Sequence, residues 1–313
     1  MKKNFFDIHD TGKFFLWVLA APQILLLVAE LVLVLVAPLF NTTAEEFLNM
    51  PFIAITLTMM AQIAFLIVLF LYNKKFNLKK AAKINLKIGT RNTILAVLIG
   101  SIGFFSIAPL TIWFDKFLVS IGYNVSSIGF EITNVGMLVL AILLLALVPA
   151  VVEELIFRGV VFQGLKKYGK WLAILGCSGL FVLVHGSLQQ VIYPFIISIV
   201  LCLFVFKTNS VVSACVVHFV SNALSLLTGY FGFALTLPIW VSILLAAAGV
   251  GVMLLLTKFG KNTEKPRAAE EIIEEIEKPM PAYNNNSFVF KIALVLAALL
   301  FILNIVAGFM PQP

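Results

Sequence analysis

Residues 136–158 read GMLVLAILLLALVPAVVEELIFR. Seventeen residues without a charge run directly into Glu153 and Glu154, and Arg158 follows four residues after Glu154. No polar spacer separates the apolar run from the three ionisable groups. If the helix continues through GVVFQGLKK to Lys166 and Lys167, its length from Gly136 is roughly 48 Å, more than a bilayer needs. Pro149 is therefore expected to kink the run or to mark where two segments meet. The carboxylates then lie just below that break, at membrane depth.

The whole chain has the same oily character. Of its 313 residues 61% are hydrophobic and 12% are charged, whereas a soluble domain carries about 25% charged residues. Mean hydropathy is +1.07. Apolar runs near 14–40, 51–72, 93–113, 135–157, 171–187, 191–206, 211–229, 232–257 and 288–309 predict an all-α, polytopic bundle of about 8–9 membrane helices. The first run is too long for a signal-peptide core and reads as a retained span. Cys177, Cys202 and Cys215 are odd in number, lie in apolar segments and form no CxxC, so they read as small buried packers.

The loops divide by charge. The stretch 73–92 holds Lys74, Lys75, Lys79, Lys80, Lys83, Lys87 and Arg91 and no acid, which assigns it to the cytoplasm. Counting spans from there, Lys2, Lys3, Lys13, Lys166, Lys167, Lys170, Lys207, Lys258 and Lys261 fall on the same side. The loops 41–50 and 114–134, with Glu45, Glu46, Asp115 and Glu131 against Lys116, fall outside. The reading is a multi-pass cell-membrane protein with a cytoplasmic N-terminus. The net charge of +7 belongs to these loops and not to a nucleic-acid partner. The expected organisation is N-terminal helices over 1–134, a catalytic core over 135–229, and a further helix over 230–257. A cytoplasmic polar linker follows over 258–287, and a C-terminal helix over 288–313. AAEEIIEEIEK in the linker suggests a short amphipathic helix closed by Pro279.

Ionisable groups inside spans are costly, and so mark function. Three stretches supply most of them: EELIFR at 153–158, FVLVH at 181–185 and HFVSN at 218–222. Glu153 is 13 residues from Lys166 and His185 is 15 from Lys170, roughly 20 and 22 Å along a helix. His218 and Asn222 are 11 and 15 residues from Lys207, roughly 16 and 22 Å. Three helices thus bring polar groups to one level, where chance would scatter them. Adjacent helical residues point about 100° apart, so Glu153 and Glu154 cannot share a face. Glu154 and Arg158, spaced i,i+4, can pair, which frees Glu153 for a cavity. A carboxylate and one imidazole can polarise a water by general-base catalysis. The second imidazole and an amide can donate to an oxyanion. The same groups can instead hold a metal, since two His plus Glu is a catalytic zinc set, although HExxH is missing.

Together the three stretches resemble the CAAX protease and bacteriocin-processing (CPBP, Abi) family of intramembrane endopeptidases. Its members carry EExxxR, FxxxH and HxxxN/D on successive membrane helices, and the FRG after the paired acids is also typical. The resemblance covers about 135–228. It implies that Glu153 and His185 activate water, that His218 and Asn222 stabilise the tetrahedral intermediate, and that Glu154 and Arg158 support them. It also implies a peptide or protein substrate in or at the membrane: a CAAX-type peptide, or a bacteriocin or pheromone-like precursor. The family is described both as zinc-dependent and as metal-independent. The metal-independent form is the expectation here, and zinc on Glu153, His185 and His218 is the alternative. The site is expected at mid-bilayer, reached from the cytoplasmic side or laterally from lipid.

Two rival readings keep the helices and change the task. One is a non-catalytic immunity or scaffold protein that binds a membrane peptide; the other is a proton-coupled transporter, which the lack of repeat symmetry disfavours. Phe181 reads as a packing residue, Glu30 matches no motif, and Gln62, Asn304 and Lys291 read as interhelical hydrogen bonding or snorkelling. Sequons at Asn41 and Asn124 fall in outer loops.

Overall fold

The computed structural model describes residues 7–43, 46, 51–75, 85–125, 132–233, 235–263 and 287–310. The amphipathic helix expected in the linker lies outside the described residues. Among them are nine apolar helices. α1 is Ile8–Val36, continued by a 3₁₀ turn at Ala37–Phe40, and α2 is Pro51–Lys75. α3 is Thr90–Ser120 and α4 the continuous run Val135–Lys166. α5 is Lys170–His185, α6 Ile192–Thr208, α7 Val211–Tyr230, α8 Ile239–Lys258 and α9 Phe288–Gly308. Seven are long and apolar enough to cross a membrane; α5 and α6 are shorter. At 16 and 17 residues these two span roughly 25 Å each. The chain is a multi-pass membrane protein.

Apolar side chains cover the outside of the bundle, as lipid requires; Leu27, Leu35, Leu244 and Leu303 are examples. With lipid as solvent, burial of apolar area contributes little to helix association, and close packing and polar contacts take its place. Gly100 on α3 faces the Val217 carbonyl of α7, and a side chain there would collide with it. The Ser221 hydroxyl donates to the Gly100 carbonyl at 3.3 Å. That approach brings α7 and its polar residues against the core.

Contacts group the described loops at two ends. At one end Lys166 and Lys170 both stand over the Phe206 ring, and the Thr263 backbone N–H donates to Thr208. Asn92 holds Lys261 by reciprocal hydrogen bonds. At the other end the Trp113 indole donates to the Leu237 carbonyl and the Leu188 N–H donates to the Tyr123 hydroxyl. Asn124 caps α9 there, its backbone N–H on Gly308 and its side-chain amide on Met310. The amide of that sequon is thus committed to a helix end.

α4 packs on α1, α2, α5, α6 and α7, and its interior departs from the α-form twice. Ile142–Leu147 and Leu155–Val161 are π-helical, separated by one α-helical stretch, Val148–Glu154. Pro149 therefore neither ends the helix nor divides it. The wider i→i−5 bonding, seen from Val148 N–H to the Leu143 carbonyl, lets the helix pass a residue that has no N–H to give. The second π stretch begins directly after Glu154 and contains Arg158. It rotates the following side chains relative to a regular helix.

Candidate active site

The expected Glu154–Arg158 pair forms, with Arg158 Nη1 2.7 Å from Glu154 Oε1 and both side chains wholly buried. Two residues outside the expectation complete it. The Ser198 hydroxyl of α6 accepts from Arg158 Nη2 at 2.7 Å, and Phe181 lays its ring against the guanidinium, 4.7 Å from its carbon to the ring centre. A buried charge needs such partners, because an uncompensated one is strongly destabilising. Ser198 carried no sequence signal, being one small hydroxyl in an apolar run.

Phe181 does more than fill space. Its ring lies 4.9 Å from Phe157, 4.5 Å from His185 and 6.1 Å from His218, each edge-on. It is the shared wall of both imidazoles and the arginine.

The imidazoles are held by their Nδ1 atoms. His185 is the last residue of α5, and Gly186 after it turns the chain with a φ of 65°, a conformation that favours glycine. His185 Nδ1 lies 2.7 Å from the Phe181 carbonyl oxygen. A carbonyl can only accept, so Nδ1 carries the hydrogen and Nε2 of the neutral ring keeps its lone pair. His218 Nδ1 lies 2.9 Å from Glu154 Oε1, the same oxygen that receives Arg158. Glu154 thus orients His218 as well as holding Arg158, and it turns the Nε2 of His218 toward Glu153.

Glu153 sits on a different face, with its side chain 13% exposed beside a His218 side chain 12% exposed. Its Oε1 accepts a 2.8 Å hydrogen bond from the amide of Gln62 on α2. Its Oε2 stands 4.0 Å from His218 Nε2, too far for a hydrogen bond but a separation that one water can bridge. Gln62, read as an interhelical hydrogen-bonding residue, is that, with Glu153 as its partner.

Glu153, His185, His218 and Asn222 all line one cavity of about 680 Å³. Asn222 stands one helical turn beyond His218, with its amide at the same wall. The cavity walls run on to Asp115 and Gln189, at the end away from the lysines. A second cavity of about 390 Å³ meets Gln62, Glu153 and His185 from the side of α1 and α9. Asn304 lines this second cavity, while Glu30 is exposed and lines neither. Lys291 is exposed in the first turn of α9. Cys177, Cys202 and Cys215 are free thiols, the first two buried.

Among the described residues, no three His, Cys, Asp or Glu side chains are grouped so as to hold a metal ion.

No curated protein and no solved structure matches the chain. A protein-family model does, over residues 135–224, from the first turn of α4 to the part of α7 just beyond Asn222. The matched stretch, under a third of the chain, contains all six residues singled out from the sequence and excludes Gln62. That model is described as type II CAAX prenyl endopeptidase Rce1-like, and over that stretch the chain is similar to it.

Proposed function

We propose that this chain is an intramembrane endopeptidase. It hydrolyses a peptide bond in a membrane-associated peptide or protein precursor of the CAAX, bacteriocin or pheromone kind, and its N-terminus is cytoplasmic. The observation that carries this reading is the Glu153 carboxylate, partnered by a neutral amide and facing an imidazole across 4.0 Å in a cavity. The family match supports it.

The chemistry follows from what each side chain can give or take. A water between Glu153 and the imidazoles loses a proton to the Glu153 carboxylate as its oxygen attacks the scissile carbonyl carbon. The His185 Nε2 lone pair accepts the second hydrogen of that water and fixes its orientation. The carbonyl oxygen becomes an oxyanion. The Asn222 amide donates to it, as does Nε2 of a His218 ring that enters the cycle already carrying both hydrogens, its Nδ1 being held by Glu154. When the intermediate collapses, the proton on Glu153 passes to the leaving amine. Glu154, Arg158 and Ser198 hold the constellation and exchange no proton with substrate. No step is routed through zinc.

The test is cleavage in proteoliposomes, using prenylated CAAX peptides and hydrophobic peptide precursors as substrates. Wild type should cut at a defined bond, Glu153→Ala and His185→Ala should not, and activity should persist after rigorous metal removal. Binding of peptides with no cleavage by any version would establish a scaffold instead. Proton flux without substrate, abolished by Glu153→Ala, would establish a transporter.

A further inference from the structure

Gln62 lies on α2, remote in sequence from the matched segment, yet it is the hydrogen-bonding partner of Glu153. Its side chain is buried at 8% exposure, and it lines both cavities where they meet at Glu153 and His185. We infer that Gln62 is a positioning residue for the reaction. It fixes the Glu153 carboxylate so that Oε2, and not Oε1, is presented to the water beside His218. This inference rests on the reading of Glu153 as the base.

The type of residue matters as much as its reach. A carboxylate accepts only, so the amide nitrogen must face Glu153 while it is ionised, and the amide oxygen is turned away. That oxygen is buried and has no partner among the described residues. When Glu153 has taken the proton of water, it becomes a donor. A half-turn of the Gln62 amide then offers it this unused oxygen as an acceptor. A neutral amide can thus serve both protonation states of a base that must gain and release a proton in each cycle. A cation in its place, as Arg158 is for Glu154, would serve only the ionised one.

The test uses the full chain in proteoliposomes with three variants. Gln62→Met keeps length and volume and removes the amide. Gln62→Glu keeps shape and replaces the donor by a second carboxylate. Glu153→Ala controls for the base. Loss of orientation should lower kcat about 10- to 100-fold in Gln62→Met and more in Gln62→Glu. KM should stay within about twofold of wild type, and the thermal midpoint within about 2 °C. Wild-type rates in Gln62→Met would overturn the inference and leave the endopeptidase reading standing, as would a loss confined to KM. A wild type that does not cleave, or cleavage retained in Glu153→Ala, would overturn both together. A packing role for Gln62 would spare Gln62→Met, because methionine refills the same space.

Discussion

Glu153 and Glu154 are neighbours in sequence and opposites in surroundings. Glu154 is wholly buried, held by a guanidinium and orienting an imidazole. Glu153 is partly exposed to a cavity, held by one amide, with one oxygen left toward His218. A cationic partner holds a buried carboxylate in place, which suits a structural anchor; a neutral amide hydrogen-bonds a carboxylate without adding charge, which suits the base proposed above. On the proposed reading one helix supplies both, since successive side chains diverge by about 100°. Arg158, one turn on, then returns to the buried member.

If this division of labour is right, the two carboxylates must fail differently. Removing the base is the largest effect on rate: Glu153→Gln should lower kcat by about 10²–10⁴-fold with thermal stability near wild type. Removing the anchor is the largest effect on stability. Arg158→Ala leaves Glu154 as an uncompensated buried charge and should cost about 3–5 kcal/mol, read as loss of the folded fraction in detergent titration. Replacing both partners by Leu and Met should recover much of that stability but little activity, because His218 then lacks its orienting oxygen.

Two smaller effects sharpen the contrast. Asn222→Ala removes a proposed oxyanion donor and should lower kcat by about 10²–10³-fold without moving KM in proportion, as steady-state kinetics would show. Ser198→Ala removes one hydrogen bond to a charged group. It should cost about 1.5–3 kcal/mol of stability, measured by the same titration, and change the rate only through the fraction folded.

Much of this was legible in the sequence, and the reasons are physical. Ionisable residues cannot be scattered through membrane helices without cost, so similar counts of 13, 15 and 15 residues from loop lysines to Glu153, His185 and Asn222 carried real information. Helical spacing separated the two carboxylates and paired Glu154 with Arg158, as observed. Gln62 and Ser198 were harder to assign. A single amide or hydroxyl in an apolar run is common, and only the packing of α2 and α6 against α4 says which one touches a charged group. At Pro149 the expected junction of two segments is absent, because π-helical bonding carries the helix past the missing N–H.

The most direct test measures cleavage and unfolding on the same preparations of Glu153→Gln and Glu154→Gln. The account predicts a Glu153→Gln protein that is as stable as wild type and cleaves about 10²–10⁴-fold more slowly, and a Glu154→Gln protein that is clearly destabilised. Cleavage near the wild-type rate in Glu153→Gln, or equal loss of stability in the two variants, would contradict it.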